Sequence, residues 1–196
     1  AEAIRRGLGE LPETTWRTAA ATLSLLRPVT PEEVRDVLSR LPEASAVPDT
    51  EGYARLLFEM LSRPAGGCAL RPESIAEHLI IATFVDGEGC EDPEKLLDQV
   101  LPEPPGAPGP DDTGCSTQGT GQTDARDARD ERVCDAITRC TSRGDAAAVR
   151  LARSVLRHRP HLWVAALDVA QRQGGPFVTA LEEALKGGED LPAITI

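Results

Sequence analysis

Between Val100 and Val133 the chain carries no aliphatic side chain larger than alanine except Leu101. From Pro102 to Asp130 it reads "PEPPGAPGPDDTGCSTQGTGQTDARDARD", rich in Pro, Gly, Asp, Thr and Ser. Such a segment cannot bury enough apolar surface to offset the entropy of ordering it. The composition therefore predicts a flexible linker over 102–130. It parts the 196 residues into a helical module, 1–101, and a shorter helical-hairpin module, 131–196.

Both modules read as mainly α. Hydrophobic residues make up 40% of the chain but aromatics only 3%, so a core must be built from Leu, Val, Ala and Ile. Such side chains suit helices packed on helices, where Ala permits close approach and Leu interdigitates. Prolines and short polar residues punctuate the pattern. Pro12 stands at one helix start, with Trp16, Ala19, Ala20 and Leu23 on one face. "TPEEVRDVLSRL" offers Thr30 as N-cap, Pro31 at the first helical position and two acids in the first turn. Tyr53, Leu56, Leu57, Met60 and Leu61 form a third stripe, and "AGGCAL" is a tight connection with room for a short strand. "RPESIAEHLIIATF" starts a fourth helix with Ile75, Leu79 and Ala82 apolar, and Asp92 caps a fifth beginning at Pro93.

After the linker, Val133, Ile137 and Cys140 are in helical register. The next helix has Asp145 as its cap and Val149, Ala152 and Leu156 inward; a third begins at Pro160 and stops at Gly174–Gly175. A last helix, "PFVTALEEALK", closes at Gly187. Short helices on very short turns are αα-hairpins, resembling one or two repeats of a helical solenoid. The N-terminal module is read as a helical bundle or a winged-helix-like domain.

A net charge of −11 excludes a general nucleic-acid binder, which needs a basic stripe, and disfavours an anionic membrane surface. Five cysteines without regular spacing suit reduced thiols in a cytoplasmic protein. No signal peptide or membrane-spanning run is read.

The chemistry of a site is thin. "GCSTQGTGQT" lacks the lysine of a phosphate loop, and no paired Cys or His spacing fits zinc, so neither a cofactor nor a metal is expected. His78 lies one residue from Glu77 and five from Glu73, sharing a face with neither; it reads as a polar-face residue. His158 and His161 flank Pro160 on different helices. Arg150, Arg153 and Arg157, at i, i+3 and i+7, make one basic face beside the apolar stripe. Those three arginines are the candidate surface for an acidic partner protein or for an acidic half of the chain itself.

Three stretches together carry a resemblance: "LSLLRPVTPEEVRDVLSRLPE", "YARLLFEMLSR" and "CALRPESIAEHLI". They resemble the helical region that follows the ATPase core in actinobacterial STAND-type signalling NTPases, the NACHT or NB-ARC-like proteins. There an "LxPDxLxEHLV" element leads into TPR-like repeats. Leu70, Pro72, Ile75, Glu77, His78 and Leu79 match that element, and Glu73 stands where an aspartate is usual. The likeness covers about residues 20–85. It implies a bacterial relay or scaffold region without the ATPase, and thus a non-enzymatic regulatory or protein-interaction module. Two other readings compete. One is a small enzyme with a site at the module junction, using His78 or His161. The other is a winged-helix DNA-binding module, against which "PEEVRDVLSR" sets three acids to two arginines.

Overall fold

The computed structural model describes residues 12–41, 49–62, 67–101, 120–141, 146–174 and 176–186. These residues are mainly α, and no strand occurs among them. Neither the strand allowed at 65–70 nor the β-hairpin of a wing is therefore present in the described part of that region. The chain divides into two compact units, Ala1–Val100 and Leu101–Ile196.

The first unit contains α1 (Glu13–Leu26), α2 (Pro31–Arg40), α3 (Thr50–Leu61), α4 (Glu73–Phe84) and α5 (Pro93–Val100). Helix α1 packs along α4, and α2 along α3. Every residue from Ala19 to Pro28 is buried, so the second half of α1 is enclosed on all sides. Its polar members Thr22 and Ser24 are hydrogen-bonded. The Thr22 hydroxyl donates to the Thr18 carbonyl at 2.8 Å, and Ser24 Oγ accepts from the Leu70 N–H at 3.1 Å.

Helix α1 stops because Arg27 takes a left-handed conformation (φ 49°, ψ 55°), its N–H donates to the Leu23 carbonyl, and Pro28 cannot continue the helix. Gly67 then passes against this terminus at φ +66°. A β-carbon there would collide with the Arg27 carbonyl, so the approach requires glycine.

The predicted caps at α2 and α5 form. Thr30 Oγ1 accepts from the Glu33 N–H at 3.2 Å, while Glu33 Oε2 accepts from the Val29 N–H at 2.8 Å. Asp92 Oδ1 accepts from the Lys95 N–H at 3.0 Å. In α3, Tyr53, Ala54 and Leu57 are the buried stripe, while Met60 is 39% exposed. In α4 the inward face is Ala76, Ile80, Ala82, Thr83 and Phe84. Ile75 faces solvent at 52% exposure, contrary to the stripe drawn through it. Its neighbour Ala76 takes the buried position instead, on a helix that packs chiefly along α1.

The second unit contains α6 (Thr120–Thr141), α7 (Ala146–His158), α8 (Leu162–Gln173) and α9 (Pro176–Lys186). Helix α6 begins inside the segment predicted as linker, so 120–130 is helix and the linker reading is corrected there. The sequence from Asp124 to Arg132 has no hydrophobic period, yet Ala and Arg are strong helix formers. Extending a helix already anchored by Val133, Ile137 and Cys140 avoids the cost of a new nucleus. Residues 102–119 and the predicted cap Asp145 lie outside the described residues.

Helix α6 packs chiefly on α8, and α7 on α9, with α6 also touching α7. An up-down bundle pairs consecutive helices; here alternate helices pair, which makes two layers, α6 with α8 and α7 with α9. The core between them holds Leu151, Val155, Leu162, Trp163, Ala166, Val169 and Phe177. Val149, predicted inward, is only half-buried, and Leu151 and Val155 take that role.

Candidate interaction surface

Helix α7 is strongly two-sided. Ala147, Ala148, Leu151, Ala152, Val155 and Leu156 are buried, whereas Arg150, Arg153 and Arg157 are all exposed. Positions three, four and seven apart share one helix flank, so the three guanidiniums rise from a single side of α7. Arg153 is partly committed: its Nη2 donates to the Glu183 carbonyl of α9 at 3.0 Å, satisfying a carbonyl near that helix's C-terminus. All three guanidiniums are planar, permanently charged donors of a kind suited to carboxylates.

The remaining candidates fall apart or change partner. His78 is exposed, and Glu73 faces away from it into an arginine pair. Arg71 Nη1 lies 2.9 Å and Arg27 Nη2 3.6 Å from Glu73 Oε1, tying the start of α4 to the end of α1. His161 sits at the α7–α8 turn with its Nε2 3.9 Å from Asp130 Oδ2 on α6. Neither ring nitrogen makes a hydrogen bond to the protein, and 3.9 Å is too long for one to Asp130. Burial, then the neighbouring Arg159 charge, lowers the His161 pKa. His158 ends α7, half-buried.

No disulfide joins the four described cysteines. Burial pushes the Cys68 and Cys134 thiols up to about 12, so both are neutral and weakly nucleophilic at physiological pH. Among the described residues no group of three His, Cys, Asp or Glu side chains could hold a metal ion. No helix among them is long and apolar enough to cross a membrane.

The first unit also has a groove of about 390 Å³ between α1, the turn before α5 and α5 itself. Thr15, Thr18, Cys90, Glu91, Asp92 and Lys95 contribute to its lining. It mixes both charges with hydroxyls.

Sequence reasoning missed Asp130 as the carboxylate beside His161, because it lay in the run read as linker. It also missed the Arg27–Glu73 pair. Neither pairing has a local signature, since the partners are 31 and 46 residues apart. No family model matches the chain, and no curated protein or solved structure matches it either.

Proposed function

We propose that the chain is a non-enzymatic helical protein-interaction module whose α7 arginine face receives an acidic partner. The observation that carries this reading is the placement of Arg150, Arg153 and Arg157 in solvent on one flank of a helix whose other flank is fully packed. A partner presenting carboxylates along a helix or extended segment gains several charge-assisted hydrogen bonds there.

In the setting implied by the resemblance, this is a cytoplasmic relay or scaffold region of a STAND-type signalling protein, with α6–α9 at the start of TPR-like repeats. The pairing of alternate helices in two layers supports that reading, since stacked αα-hairpins pack in this way.

The test is a titration of the full chain with a labelled helical peptide bearing glutamates at i, i+3 and i+7. Saturable binding, weakened at high salt and lost in Arg150→Glu/Arg157→Glu, supports the proposal. Absent binding, or equal binding by the reversed variant, removes it. Arg153 is left intact because of its bond to α9.

A further inference from the structure

The arginine face of α7 is not independent of α9, the helix on which α7 chiefly packs. Phe177 and Leu181 of α9 are buried, and the following Glu182 and Glu183 are exposed. Arg153 Nη2 donates to the Glu183 backbone carbonyl at 3.0 Å. Helix α9 ends at Lys186, so that carbonyl is one of the last four, which have no donor within the helix. The helix dipole adds partial negative charge at the same end. One arginine of the face thus already holds a negatively polarised oxygen from its own chain.

Glu183 carries its carboxylate on the residue whose carbonyl Arg153 grips, and Glu182 carries another on the residue before. A glutamate side chain is short beside the screening length of about 8 Å at physiological salt, so the Glu183 carboxylate acts on that guanidinium. From Glu182 to the helix end at Lys186 there are two acids and one base. An acidic partner approaching Arg150, Arg153 and Arg157 meets like charge beside its own site, which weakens its binding.

We propose that the acidic last turn of α9 is an autoinhibitory contact, occupying Arg153 and screening the arginine face against acidic partners. The inference rests on reading α7 as a binding face and adds its regulation. Helix α9 competes in cis for the same donors, and the affinity of α7 for a partner is set by that competition.

Glu182→Gln/Glu183→Gln in the full chain tests this, because it keeps side-chain size and removes two charges from exposed positions. It should bind the labelled glutamate peptide about two- to fivefold more tightly than the wild type, a gain that shrinks at high salt. Glu59→Gln/Glu94→Gln removes the same charge from exposed positions of the first unit and should bind as the wild type does. Unchanged binding by the α9 variant overturns the proposal. So does an equal gain in the first-unit variant, which would make the effect one of net charge. The free chain gives a second readout. The Arg153 Nε–H resonance should shift in the α9 variant and stay fixed in the other. A resonance fixed in both overturns the inference whether or not the peptide binds. A shifted resonance in a chain that binds no peptide supports the cis contact and discards the α7 reading.

Discussion

Arg27 Nη2 lies 3.6 Å from Glu73 Oε1, joining the left-handed terminus of α1 to the first turn of α4. The Arg27 side chain is only 9% exposed and that of Glu73 37%, so one charge is nearly buried and its counterion is half in water. Removing the counterion leaves the buried guanidinium poorly compensated. Glu73→Ala should therefore destabilise the first unit by about 1–2 kcal/mol, below the cost for a fully buried pair. Glu73→Gln, which keeps an acceptor for both arginines, should lose less. Denaturant midpoints of the two variants check the order.

The two tryptophans report on separate units, since half-buried Trp16 is in α1 and buried Trp163 in α8. Leu151 is fully buried among α7, and truncation to alanine leaves a cavity there. Leu151→Ala should cost about 2–5 kcal/mol. In a Trp16→Phe background the Trp163 emission should show that loss directly as an earlier unfolding transition.

The pH dependence of the second unit has a definite sign at His161. Its folded pKa lies below its ordinary value, because burial and then Arg159 disfavour the imidazolium. The folded state therefore prefers the neutral ring. That preference is fully present above the ordinary histidine pKa, about 6.5, and is lost as pH falls from there through the folded value. Melting temperatures read by Trp163 should fall on acidification below pH about 6.5. His161→Gln should flatten that part of the profile. An unchanged slope in the variant would assign the acid sensitivity to other groups.

Thiol labelling should rank the described cysteines by burial. Cys68 and Cys134 are buried and held neutral, with thiols pushed up to about 12, whereas Cys90 is partly exposed in the groove of the first unit. Under native conditions an alkylating reagent should modify Cys90 well before Cys68 or Cys134, as read by peptide mass spectrometry. Addition of denaturant should erase the difference.

Much of the fold was legible because local chemistry sets helix ends. Thr30 before Pro31, and Asp92 before Pro93, announce their caps in the order of residues alone, and the caps form. The amphipathic stripe of α7 was legible in outline, and its arginine face follows from spacing. What failed depended on long-range packing. Ile75 and Ala76 are adjacent candidates for one inward position, and only the approach of α4 to α1 favours the smaller. The start of α6 was hidden because "DARDARDER" has helix propensity without an apolar face. The left-handed Arg27 was equally invisible, because its conformation goes with a tertiary approach by Gly67 and a pairing with Glu73.

The central claim is that α7 of the second unit is a binding face for acidic partners, and amide chemical-shift mapping tests it most directly. Adding the glutamate-bearing helical peptide to isotope-labelled full chain should shift resonances along Arg150–Arg157, with small effects on α4. An unperturbed α7, or shifts spread evenly over both units, would contradict it.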